Sequence, residues 1–153
     1  MRRGKIKRKS RTTLAKLKDK VWLLLKQILD IRDGDTCISC GATGLRGHNK
    51  HGGHFIPSSS CGGFLRYDLR NVHNQCATCN LFRNGAGAEY TLNLQKKYGN
   101  KFVEQIIQDK QRSIKLDANY LDGLHNFYLT LLPKDKKQLE AFTKKYKGFT
   151  NEE

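Results

Sequence analysis

The chemistry in this chain is concentrated between residues 37 and 80. Cys37-Ile-Ser-Cys40 and Cys76-Ala-Thr-Cys79 are two C-x2-C pairs with 35 residues between them. Two thiolates spaced by two residues grip one ion from a tight turn, and two such turns complete a tetrahedron. Four soft sulfur ligands suit Zn2+, although spacing alone also admits an iron–sulfur centre. A closed four-cysteine site keeps no open coordination position, so this metal is expected to be structural. The fifth cysteine, Cys61, lies in SSSCGG and reads as an incidental loop thiol. An odd cysteine count in a reducing compartment argues against a disulfide framework and for metal ligation or free thiols.

Between the pairs runs GHNKHGGHFIPSSSCGGFLRYDLRNVHNQC, and Asn80 follows the last cysteine. Histidine and amide groups are dense here, and no acidic ligand cluster accompanies them. An imidazole of near-neutral pKa can take a proton from water. The supporting elements follow from the pattern. Gly53–Ile56, stopped by Pro57, suits a short strand. Asn71–Gln75 suits a second strand, paired antiparallel across the Ser/Gly loop, and Cys79–Arg83 suits the start of a helix. The result is strand, strand, helix, pinned by metal where the second strand meets the helix. On such strands His51 shares the side of Gly53, and His73 shares the side of Asn71. His48 and His125 read as ordinary polar residues.

These elements carry a resemblance. The run from Cys37 to about Gly99 resembles the HNH nuclease superfamily and, more closely, the phage NinG (Rap) recombination nucleases. The similar parts are CISCG, the GHF at 53–55, LRYDLRNVHNQCATCN from Leu65 to Asn80, and the helix ending KKYG. The order of His, Asn and CxxCN is also similar to that of the phage Holliday-junction resolvases of the endonuclease VII type. The resemblance implies a ββα-metal core in which His54 is the general base, Asn71 braces the loop and helps orient that base, and Asn80 ligates a catalytic Mg2+ or Mn2+. It also implies an endonuclease leaving 5′-phosphate and 3′-hydroxyl ends on branched recombination intermediates such as Holliday junctions and D-loops. One position departs from the family. Many members carry an Asp or a His just before the base as a second metal ligand, and here that residue is Gly53. His51 is the candidate substitute, and His73 is a further candidate for contacting metal or phosphate.

The rest of the chain supports a polyanionic partner. There are 29 Lys and Arg against 14 acidic residues, a net charge of +15, which phosphate backbones reward through counterion release. An anionic membrane surface competes for any basic protein. No run of about 18 apolar residues exists to span a bilayer, and no signal peptide is recognisable. The cytoplasm is therefore expected, that of the host cell if the chain is phage-encoded.

Residues 1–11 form a basic arm in which Arg2, Arg3, Lys5, Lys7, Arg8, Lys9 and Arg11 are DNA-contact candidates, with Arg83 in the core. Residues 12–34 read as an amphipathic helix, capped at Thr12 or Thr13. Leu14, Leu17, Val21, Leu24, Ile28 and Ile31 recur in alternating steps of three and four, and Trp22, Leu25 and Leu29 widen the stripe. Packing on its own domain is favoured over a dimer seam. Residues 35–99 hold the core, 100–148 a helical region and 149–153 a tail. The fold class expected is α+β, a small zinc-stapled ββα-metal core flanked by an N-terminal helix and C-terminal helices. A homodimer matches the two-fold character of a junction. The competing functions are a non-catalytic zinc module that binds DNA, or an HNH nuclease serving homing or DNA packaging.

Overall fold

The computed structural model describes residues 12–151, and the basic arm with its candidate cations lies outside them. Among the described residues there are six helices and one two-stranded sheet. The order is α1 (Thr13–Asp33), a short 3-10 turn (Gly47–Asn49), β1 (His51–His54), α2 (Gly62–Arg66), β2 (Val72–Gln75), a wide helical turn (Thr78–Phe82), α3 (Gly87–Tyr98), α4 (Asn100–Asp109), α5 (Ala118–Leu129) and α6 (Lys136–Lys145). The protein is thus α+β and mostly helical. No helix among the described residues is long and apolar enough to cross a membrane.

α1 begins where the Thr12 hydroxyl accepts the Ala15 N–H at 3.2 Å, which satisfies one of the first-turn donors. It ends at Gly34, whose φ of 61° is open to glycine at little cost and whose N–H returns to the Asp30 carbonyl. Val21, Leu24, Leu25, Ile28 and Leu29 are buried in a core shared with α5, α6 and β2. Most of the apolar stripe is therefore spent inside its own chain, with Leu14 at its start exposed. At α5, the Asp117 side chain accepts the Tyr120 N–H, and at α6 Asp135 and Gln138 cap each other reciprocally.

Strands β1 and β2 pair antiparallel in the register His51↔Gln75, Gly52↔Asn74, Gly53↔His73 and His54↔Val72. β1 thus starts two residues before the expected Gly53 and stops at His54. The cause lies in Asn71. Its Oδ1 accepts the Ile56 N–H at 2.7 Å and its Nδ2 donates to the Ile56 carbonyl at 3.0 Å. One more backbone bond follows, from the Phe55 N–H to the Asn71 carbonyl at 2.8 Å, and beyond it the side-chain amide takes over at Ile56 as the chain turns away into Pro57. The helix expected to start at Cys79 is only a short wide turn, separate from α3. The turn at 78–82 closes when the Gly85 N–H reaches the Cys79 carbonyl. Asn84, Gly85 and Ala86 then all take positive φ, and α3 starts afresh at Gly87. Within the Ser/Gly loop, Phe64 and Leu65 form the short α2. There Cys61 is fully buried in a second core with Tyr90, Leu94 and Ile106, so it is a core residue where a loop thiol was expected.

Candidate active site and metal centre

The first C-x2-C turn is fastened to the sheet by the Ile38 N–H donating to the Asn74 carbonyl at 2.9 Å. The second lies at the end of β2, where the Cys79 N–H points at the Cys76 sulfur. These anchors bring the sulfurs of Cys37, Cys40, Cys76 and Cys79 within 4.8 Å of one another, with Cys40 and Cys76 at 3.8 Å. A tetrahedron with Zn–S bonds of about 2.3 Å has edges of about 3.8 Å, so the cluster has the dimensions of a zinc site. The thiols also act on one another electrostatically. Burial raises the Cys37 thiol, but N–H groups of Cys40, Cys76 and Ser39 draw it down to about 7. Burial and the neighbouring thiols push Cys79 up to about 12. One sulfur ionises readily and then opposes ionisation of its neighbours, a conflict that a bound dication would remove.

His54 ends β1. Its Nε2–H donates to the Arg66 carbonyl at 2.8 Å, which leaves the Nδ1 lone pair as the basic nitrogen. Burial lowers its pKa below 6.5, and the charge of Arg66 lowers it further against the opposing effect of the carbonyl. The ring is therefore neutral at pH 7. It stacks on Trp22 of α1, centroids 5.5 Å apart and planes 7° from parallel. Gly52 makes this possible, because a Cβ there would come within 2.9 Å of the indole. Trp22, read from sequence as part of the apolar stripe, is thus a positioning residue for His54. Its signal was an aromatic flanking the stripe opposite a Gly-Gly-His strand.

His51 donates Nε2–H to the His48 carbonyl at 2.9 Å, and its Nδ1 faces the Asn80 side-chain amide at 3.0 Å. Turning the amide over presents Oδ1 beside that nitrogen. Adjacent ligands of an octahedral ion at about 2.1 Å are about 3.0 Å apart, so this pair fits one divalent ion. Gly53 leaves no room for a ligand of its own. A Cβ there would lie 1.8 Å from the Gln75 side-chain oxygen. Gln75 is held across the strand by donating to Ser39 Oγ and to the Gly85 carbonyl, both at 2.8 Å. A cavity of about 340 Å3 has both His54 and Asn80 in its lining. Beside it Leu81 and Phe82 stand 59% and 80% exposed. Arg83 pairs with Glu89 at 2.8 Å.

His73 departs from its expected role. It is 0% exposed, its Nδ1 accepts from Arg32 at 2.8 Å and its Nε2–H donates to the Arg70 carbonyl at 3.1 Å. A ring with both nitrogens engaged in the interior cannot touch metal or phosphate. It belongs to a buried network that sequence reading missed. Arg32 forks onto Asp33 at 2.6 and 2.9 Å and also donates to the Leu69 and Val72 carbonyls. The available clue was a charged residue four places after Ile28, on the apolar face of α1. A second buried pair, Arg70–Asp68, reaches Asp109 on α4.

The network has a pH signature. Burial and then Arg32 lower His73 to about 4. Burial raises the Asp33 carboxyl, but Arg32 and His73 hold it well below the usual carboxylate range, so Asp33 stays ionised above pH 4. Below pH 6.5 the unfolded chain takes up a proton at His73 that the folded chain refuses, so stability is lost as pH falls from 6.5 towards 4. At about 1.4 kcal/mol per pH unit, the step from 6.5 to 5 costs about 2 kcal/mol. Denaturant unfolding at both pH values is expected to show this extra loss in the parent relative to a His73→Gln variant. Equal losses would remove His73 from the acid response.

The family model described as Bacteriophage Lambda NinG protein matches residues 1–138. Protein ninG of Salmonella phage P22 is 35% identical over 82 residues, which is 53% of this chain and 39% of that protein. Protein ninG of Escherichia phage 933W is 34% identical and that of Escherichia phage lambda 33%, over the same lengths and shares. The matched segment thus spans about two fifths of these relatives. No solved structure matches the chain. Since the family model takes in the four cysteines, both strands and the helices as far as the start of α6, the chain belongs to the NinG family of bacteriophage proteins.

Proposed function

We propose that this protein is an HNH-type endonuclease that cuts branched DNA during phage recombination, acting as a homodimer in the host cytoplasm. The observation that carries the reading is His54, a neutral imidazole with Nδ1 uncommitted, sharing one cavity with Asn80. Nδ1 takes a proton from water as the water oxygen attacks phosphorus. The P–O3′ bond breaks and the leaving oxygen takes a proton from solvent, giving a 5′-phosphate and a 3′-hydroxyl. Asn71, fully buried and bonded to Ile56 and Leu65, fixes the loop that carries the Arg66 carbonyl and so the ring. A Mg2+ or Mn2+ ion held by His51 and Asn80 supplies charge neutralisation at the phosphate and the leaving oxygen. The four cysteines hold a structural Zn2+.

Branched substrates are supported by the exposed Leu81 and Phe82 beside Asn80, since apolar side chains at a DNA surface enter between unstacked bases. The deciding experiment incubates the protein with matched linear, flapped and four-way DNA, with and without Mg2+ or Mn2+. Metal-dependent nicking strongest on the four-way substrate is expected. DNA bound but uncut under every condition would favour a non-catalytic zinc module, and equal cutting of linear duplex would remove the branch preference.

Two further outcomes follow. Trp22→Ala uncovers the His54 ring, so its pKa is expected to rise towards the ordinary 6.5, moving the acid limb of the cleavage profile to higher pH. The ring C–H resonance of His54 reports the same shift without any cleavage, and an unmoved titration would count Trp22 as packing only. Deleting residues 1–11 removes cations without a base-reading scaffold. Binding is expected to weaken on all sequences and its salt slope to flatten, and an unchanged slope would make the arm a bystander.

A further inference from the structure

Beside Gly53 lies a buried oxygen with no donor. Gln75 is 0% exposed, and its Oε1 has no hydrogen-bond partner among the described residues. The orientation of its amide is fixed. Nε2 donates to Ser39 Oγ and to the Gly85 carbonyl. A carbonyl can only accept, so the nitrogen faces Gly85 and the oxygen faces Gly53. A buried amide oxygen left without a donor is rare in native proteins and asks for a cause. Asn74 Oδ1 is also unpartnered, but Asn74 lies on the other face of β2, where its Nδ2 donates to Asp30 and to the Gly34 carbonyl at the end of α1.

The sheet places Gln75 among the residues that were given to the divalent ion. His51 and Gln75 are directly opposed in the register, so their side chains leave the same face with Cβ atoms about 4.5–5.5 Å apart. Gly53, two residues after His51, shares that face. A Cβ at Gly53 would overlap Gln75 Oε1, so the amide oxygen occupies the place where a ligand side chain at position 53 would begin. Asn80 is fastened beside them. Its N–H donates to the carbonyl of Cys76, the residue after Gln75, and its side chain pairs with His51 Nδ1. Gly85, which accepts from Gln75, lines the same cavity as His54 and Asn80. His73, the residue opposite Gly53, has both ring nitrogens engaged elsewhere and leaves the position to Gln75.

We propose that Gln75 Oε1 is a third protein ligand of the divalent ion, standing in for the side chain that position 53 lacks. The inference rests on the nuclease reading for the existence of that ion. An amide oxygen is a hard donor suited to Mg2+ or Mn2+, and a cation is a partner that Oε1 can accept where no N–H or O–H reaches it. The ion takes the place of the hydrogen bond between His51 and Asn80. All three ligands are neutral, so the phosphates of DNA supply the balancing charge, and the protein alone binds the ion weakly.

The test reads ion binding by the full, zinc-loaded chain without DNA, so it does not depend on cleavage. In a Mg2+ titration of the parent, the side-chain carbonyl carbons of Gln75 and Asn80 are expected to shift together with one midpoint, along with the His51 ring. Shifts at His51 and Asn80 without one at Gln75 would overturn the ligand assignment and leave the nuclease reading standing. No response at any of the three would overturn both. Variants read the same contact by Mn2+ titration, with free ion followed by its paramagnetic resonance. Thiolates hold zinc against Mn2+, the weakest binder of the divalent first-row series. Gln75→Glu keeps the oxygen and adds a charge, so it should tighten Mn2+ binding by about tenfold or more, ligand charge being a main lever on such sites. Gln75→Leu should weaken it by about tenfold or more. An amide with only a structural role predicts the reverse for Gln75→Glu, a lower melting temperature from the buried carboxylate and no gain in affinity. A Gln75→Glu protein that keeps its zinc yet binds Mn2+ no more tightly than the parent would overturn the proposal.

Discussion

His54→Ala is expected to lower DNA cleavage by a factor of about 10²–10⁴, the usual worth of a positioned general base, while leaving DNA binding and the fold in place. The imidazole sits at the end of β1 with its hydrogen bond to a loop carbonyl and its stack on Trp22. Its removal therefore empties a half-buried position without breaking the sheet or the cysteine cluster. The loss should fall on kcat, because the base acts in the transition state and contributes little to ground-state binding. Asn80→Ala forms the contrast. It removes a proposed ligand, so cleavage should be recovered in part by raising Mg2+ or Mn2+, which His54→Ala should not allow. Retention of activity within about tenfold of the parent, on the low side of a general base's contribution, would remove His54 from the chemistry. Unchanged metal titrations in Asn80→Ala would remove that residue from the ion's shell.

What could be read in advance divides along the range of the forces involved. The C-x2-C pairs were legible because the geometry of each pair is local, and the gathering of all four sulfurs followed from ligand chemistry. Helix α1 and the helical character of 100–148 were legible because apolar spacing and a cap such as Thr12 are local signals, whereas the Asp135–Gln138 capping box of α6 was not read. Position along β1 was not legible, since the backbone pairing gives way at Ile56 to the Asn71 side chain, and no propensity encodes that. His73 was misjudged for a related reason. Alternation along β2 predicts a face, but it cannot foresee Arg32 arriving from α1 to occupy that face. Gly53 shows the reverse case, where a missing ligand became intelligible only once Gln75 was seen filling the space beside it. The partners of Trp22 and His54 are likewise far apart in sequence, and only the packing of α1 on the sheet joins them.

Cys76→Ser is expected to be the most damaging single substitution to the fold. Structural zinc in small sites contributes roughly 10–16 kcal/mol of apparent free energy, comparable with or larger than the roughly 5–15 kcal/mol by which ordinary domains are stable. The segment it serves has little else. Between Thr36 and Ser60 the buried apolar groups are few, and Cys37, Leu45, Cys76, Cys79 and Ala86 make up a separate small cluster around the sulfurs. The helical core formed by α1, α5 and α6 has its own apolar contacts, so damage should be regional. Zinc per chain should fall from one to near zero, and amide protection should vanish over β1, β2 and the turn at Thr78–Phe82. Protection in α5 should persist at reduced stability. Chelation of the parent at neutral pH should reproduce the same pattern, and acid should do so as thiolates are protonated. Cys61→Ser is the control. It buries a hydroxyl in an apolar core, where Sγ now has only weak contacts to the Ser58 and Gly62 carbonyls. It should lower global stability by about 1–3 kcal/mol while zinc content stays at one. A Cys76→Ser protein that keeps its metal and its sheet protection would show that the four sulfurs do not hold the region together.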